Sequence, residues 1–164
     1  MEHQIEQLIK FSLFFIVVIA LLLFWLIPKT NFARRFKMST KIFILTQIVG
    51  VLCGMTGLIV TFVWPHLIVE MHLWELIVLP FALMYAFWGL IIRIRKNAEI
   101  IDEKQDFDMS IAGALTMALT IPAMVVMFIL DSHNMVQELL WFPYYFFVTI
   151  FLFSGSILFL HKNA

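Results

Sequence analysis

Five stretches of this chain, residues 8–27, 42–64, 73–92, 109–130 and 139–160, are almost purely apolar, and none carries an acidic or basic side chain near its middle. At about 1.5 Å of rise per residue, a helix of that length covers about 30 Å, the thickness of a bilayer's hydrocarbon core. Inside hydrocarbon every backbone N–H and C=O must find its partner within the protein, and a helix does this within one segment. The composition agrees: 63% of residues are hydrophobic and 13% charged, with a mean hydropathy of +0.99, whereas soluble domains are about 25% charged. The expected fold is an all-α integral membrane protein, residues 1–164 forming one polytopic bundle of five transmembrane helices. With short connections, sequential helices are expected to be antiparallel neighbours.

The formal net charge is zero, from 11 Lys and Arg against 11 Asp and Glu. Such a chain has no overall basic field to attract nucleic acid, and no nucleic-acid partner is expected. The distribution is informative where the sum is not. Lys29, Arg34, Arg35, Lys37 and Lys41 follow the first span, Arg93, Arg95, Lys96 and Lys104 follow the third, and Lys162 follows the fifth. The connections after the second and fourth spans contain no Lys or Arg, and Lys10 is the one basic residue left. Basic residues accumulate in cytoplasmic loops, so the N-terminus is expected outside and the C-terminus in the cytoplasm, in a bacterial or archaeal inner membrane. Trp64, Trp74 and Trp141 mark the outer interface. Glu2 and Glu6 stand where a secretory leader would be basic, so the first apolar run is expected to stay as a helix.

Pro80 and Pro122 lie inside the third and fourth spans, where each frees a carbonyl; membrane helices tolerate this, or use it as a hinge. Pro143 suits the first turn of the fifth helix. In the inner connection Asp106 or Asp108 is expected to cap the fourth helix. Asp102, Asp106 and Asp108 lack the spacing of a calcium loop.

On the second span Gln47, Gly50, Gly54, Gly57 and Thr61 fall on one helical face. Such a stripe allows close backbone approach, with a Gln to bond across, and we read Gln47, Gly50, Gly54 and Gly57 as a helix-packing seam. Comparable faces hold Ala82, Ala86 and Gly89 on the third span, and Gly113, Thr116, Thr120 and Met124 on the fourth.

Common enzyme signatures are missing. All five histidines lie at span edges, so no pair of axial haem ligands is expected inside the bundle. No HExxH, GxSxG or phosphate-loop motif occurs, and no catalytic residues are assigned. The outer side collects six acids with His3, His66, His72 and His133. Imidazole and carboxylate together bind copper, zinc or iron, so His66, His72, Glu75 and His133 form a candidate metal set. The same groups also serve as interfacial and capping residues on a side that topology depletes of Lys and Arg.

These features point first to a non-enzymatic membrane protein that binds a partner in the bilayer, either another membrane protein subunit or itself, as an accessory subunit of a larger complex or an immunity-like protein. Two alternatives are an extracytoplasmic metal-handling or metal-dependent protein, a transporter or oxidoreductase component, and a small oligomeric channel or carrier.

Overall fold

The computed structural model describes residues 2–26, 38–94, 101–136 and 140–162. Its helices are α1 (Glu2–Leu26), α2 (Thr40–Val63), α3 (Pro65–Val69), α4 (Leu73–Ile94), α5 (Glu103–Ser132) and α6 (Trp141–Lys162). No strand occurs among the described residues. Three helices, α2, α5 and α6, are long and apolar enough to cross a membrane, while α1 and α4 carry the shorter apolar stretches Phe14–Leu23 and Leu73–Gly89. The expected span ends at Ile27 and Leu139 lie outside the described residues.

The helix ends follow local chemistry. Ser39 caps α2, its hydroxyl accepting the Ile42 N–H at 3.4 Å. Proline opens α3 at a position where no N–H is needed. The cap of α5 is Asp102, whose N–H is donated to the Gln105 side chain at 3.3 Å in a capping box. This corrects the expectation of Asp106 or Asp108. The helix begins earlier because Gln105 stands three residues after Asp102, and Asp108 is left for another role. At the far end of α5, Asn134 adopts φ 54°, with Asn134 N–H bonded to Asp131 O at 2.8 Å and Met135 N–H to Leu130 O at 3.0 Å. That is a Schellman stop, with Asn in the left-handed position usually held by Gly. Pro80 and Pro122 both sit within unbroken helices, and Pro143 lies in the first turn of α6.

Helix pairing departs from sequence order. The central pair is α2 with α6; α5 packs on α6, α4 on α2, and α1 on α4. Among the described residues the expectation that every helix neighbours the next therefore holds for α2–α4 and α5–α6, and fails for α1–α2 and α4–α5, which share no extensive contact there. Both failing connections carry the clustered charge, and both contain residues outside the described set. The directions alternate. Phe43 meets His161 and Phe62 meets Tyr144, so α2 and α6 run antiparallel. Aromatic contacts of Trp74 with Phe142, and of Tyr85 with Phe153, keep α4 parallel to α6.

The short helix α3 closes one end of the bundle. Ile68, 1% exposed, packs with Met127, Leu140, Tyr144, Phe147 and Val148. A second apolar cluster at the other end joins Met38, Phe43, Trp88, Ala112 and Ile157. Outside these clusters the surface is apolar, with Phe11, Phe14, Ile121, Phe128 and Phe159 more than half exposed, the pattern of helices whose solvent is lipid.

The Schellman stop yields a first prediction. Asn134→Gly leaves thermal stability of the detergent-solubilised protein unchanged or raises it, whereas Asn134→Val lowers it by about 1–2 kcal/mol, the cost of a left-handed backbone for an ordinary side chain. Equal melting curves for the two variants would contradict the assignment.

Candidate functional site

The glycine face of α2 is turned toward α6. A Cβ added at Gly50 would overlap Ser154 Oγ, one at Gly54 would stand 2.7 Å from the Phe151 backbone N, and one at Gly57 would overlap the Phe147 ring. No larger residue fits at this separation, so the two backbones approach as closely as small residues permit. Gln47 and Thr46, one turn nearer the start of α2, instead face α4. Gln47 donates to Tyr85 Oη at 3.0 Å, Tyr85 donates back to Gln47 Oε1 at 3.3 Å, and Trp88 Nε1 donates to Thr46 Oγ1 at 3.3 Å. Interhelical hydrogen bonds in membranes are worth about 0.6 kcal/mol on average. These bonds fix register more than they hold the helices together.

The pairing of α5 with α6 leaves an open groove of about 620 Å³ on the bundle's surface, walled by Met117, Ile121, Val125 and Phe128 of α5 and by Trp141 and Tyr145 of α6. Two contacts set the antiparallel register of this pair. Tyr144 Oη donates to Ala123 O at 3.1 Å, and His161 Nδ1 lies 2.9 Å from Asp108 Oδ2. In that register Thr120 and Thr149 come level on the groove's floor. Threonines in membrane helices ordinarily bond to the carbonyl four residues back, as Thr46, Thr61 and Thr116 do here at 2.7–2.9 Å. Thr120 and Thr149 do not: both hydroxyls are buried without a hydrogen-bond partner.

The Asp108–His161 hydrogen bond ties the start of α5 to the end of α6, with side chains only 5% and 16% exposed.

The candidate metal set is dispersed. His66 is exposed on α3. His72, in a left-handed turn at φ 54°, has Nδ1 3.8 Å from Glu75 Oε1. His133 caps α5, with Nδ1 2.8 Å from Ile129 O and 3.2 Å from Ser132 Oγ. The structure thus brings His72 to Glu75, while the helix end engages one nitrogen of His133. Among the described residues no group of three His, Cys, Asp or Glu side chains converges as a metal site would require. Asp108 is likewise taken from any acidic cluster by His161, while Asp102 and Asp106 are exposed. The side chains of Glu2, His3, Glu6 and Lys10, residues 27–37, 95–100 and 137–139, and the Arg93 side chain lie outside the described residues.

Sequence reasoning missed the partners rather than the stripes. Tyr85 and His161 are the far halves of contacts whose near halves, Gln47 and Asp108, were visible, while Thr46 and its partner Trp88 were both overlooked. The only signal for Thr149 was a lone hydroxyl midway along the fifth span.

Comparison with protein-family models, with curated proteins and with solved structures finds no match for this chain.

The Asp108–His161 contact is testable by a double-mutant cycle. Asp108→Ala and His161→Ala each destabilise the solubilised protein, with a coupling of about 1.5–3 kcal/mol, the worth of a hydrogen bond to a charged group. Effects that simply add would show that the two side chains do not interact.

Proposed function

We propose that this is a non-enzymatic, multi-pass membrane protein that binds another membrane protein through the groove between α5 and α6, as an accessory subunit of a larger complex or as an immunity-like protein. In this reading α1, α2, α4, α5 and α6 are five spans of a cell or inner membrane, with the N-terminus outside and the C-terminus in the cytoplasm. The alternating directions of α2, α4, α5 and α6 support that path. So does the concentration of ten of the 11 basic residues in the connections of one side.

The observation that carries the partner reading is the pair of unpaired hydroxyls, Thr120 and Thr149, beneath a lipid-facing groove. A buried hydroxyl without a partner costs about 1–3 kcal/mol, and lipid tails offer nothing to repay it. A partner helix seated in the groove can offer either hydroxyl a carbonyl or a polar side chain as acceptor. Each such bond adds little, about 0.6 kcal/mol, but it selects the depth and rotation at which the partner seats. The walls then contribute packing, and Trp141 and Tyr145 bring the aromatic anchors that dominate protein interfaces.

A photoreactive amino acid introduced in living cells at Met117, 75% exposed on the groove wall, is expected to yield a discrete adduct with one membrane protein or with a second copy of the chain. The same probe at Leu52, 52% exposed on α2, is expected to yield lipid adducts alone. Lipid adducts alone from both positions would contradict the proposal.

A further inference from the structure

The end of the bundle that holds Met38 contains a partly open cavity that neither the glycine seam nor the groove explains. It lies between α2 and α4, has a volume of about 150 Å³, and is lined by Phe43, Thr46, Gln47, Tyr85 and Trp88, with Met109 of α5 contributing to the wall. Aromatic rings supply much of the lining, and among the described residues no acidic or basic side chain lines it. A cavity of about this volume is large enough to admit a benzene-sized molecule.

Gln47 makes the cavity selective. Its side chain is 1% exposed, and an amide offers two N–H donors and a carbonyl with two lone pairs. The Tyr85 hydroxyl meets one N–H at 3.0 Å and the carbonyl at 3.3 Å. One donor and one lone pair thus remain unspent on a group sealed from solvent, and leaving them so costs free energy. Thr46 offers no relief, because its hydroxyl is engaged by Ile42 O at 2.9 Å and by Trp88 Nε1. A guest that fills the apolar volume and offers one hydroxyl satisfies both demands. A charged guest would meet no counter-charge.

We propose that this cavity binds a small neutral aromatic molecule bearing one hydroxyl, of about the size of phenol, with the ring among Phe43, Tyr85 and Trp88 and the hydroxyl on the Gln47 amide. The site is independent of the α5–α6 groove, so either assignment can fail without the other.

The test is a titration of 4-fluorophenol into the full chain in lipid nanodiscs, read by fluorine NMR, with empty nanodiscs as the partitioning control. The wild-type protein is expected to give a saturable, one-to-one shift that unlabelled phenol displaces. Gln47→Leu is expected to weaken 4-fluorophenol about five-fold, the worth of one neutral hydrogen bond, while fluorobenzene keeps its affinity within about two-fold. A wild-type response no different from empty nanodiscs overturns the proposal, and this result stands even if the variant does not fold. Equal weakening of both probes by Gln47→Leu overturns the role given to the amide.

Discussion

Between lipid and protein there is no hydrophobic driving force to bring two apolar helices together, because hydrocarbon tails solvate Leu and Phe as well as another helix does. What remains is close packing, and its strength depends on how near two backbones can come. Gly50, Gly54 and Gly57 set that distance for α2 and α6: any side chain there would collide with Ser154, Phe151 or Phe147. Each dispersion contact is worth only about 0.1–0.2 kcal/mol, but a close seam multiplies them along the whole helix.

The rest of the bundle is arranged around that pair. α4 leans on α2 through Gln47–Tyr85 and Thr46–Trp88, and α5 leans on α6 through Asp108–His161 and Tyr144–Ala123. These polar contacts sit near the helix ends or on one flank, and they specify register at small energetic gain. Because α5 touches the bundle mainly through α6, its outer flank stays open, and the groove with Thr120 and Thr149 follows from that arrangement. Two of the three unpartnered hydroxyls among the described residues, Thr120 and Thr149, thus lie on the face that the glycine seam leaves uncovered, while the third, Ser154, lies in the seam itself.

The helices were legible in the sequence because apolar length is dictated by the hydrocarbon thickness and is written locally. The glycine stripe was legible as well, since three- and four-residue spacing puts its members on one face; which helix faces it was not, because neighbours are chosen by complementary shape rather than by chain order. Asp102 was overlooked as a cap because the decisive signal was Gln105, three residues on, and Asp108 was read as a candidate cap instead. Its partner lies 53 residues away, beyond any local pattern. Of the candidate metal set His66, His72, Glu75 and His133, the structure brings His72 to Glu75, and sharing one end of the molecule does not by itself bring ring nitrogens to a common point. Thr120 and Thr149 differ from Thr116 only in what their hydroxyls lack, which no sequence pattern records.

The central claim is that the glycine face of α2 is closed by α6 of the same chain. In a background carrying Cys53→Ala, the pair Phe62→Cys and Tyr144→Cys, whose rings meet edge to face across α2 and α6 with centroids 5.8 Å apart, should oxidise to a disulfide in native membranes. Leu52→Cys with Phe151→Cys should not. Mass spectrometry of the linked peptides is expected to find the bond within single chains. A bond formed only between two copies, or equal oxidation of both pairs, would contradict the account.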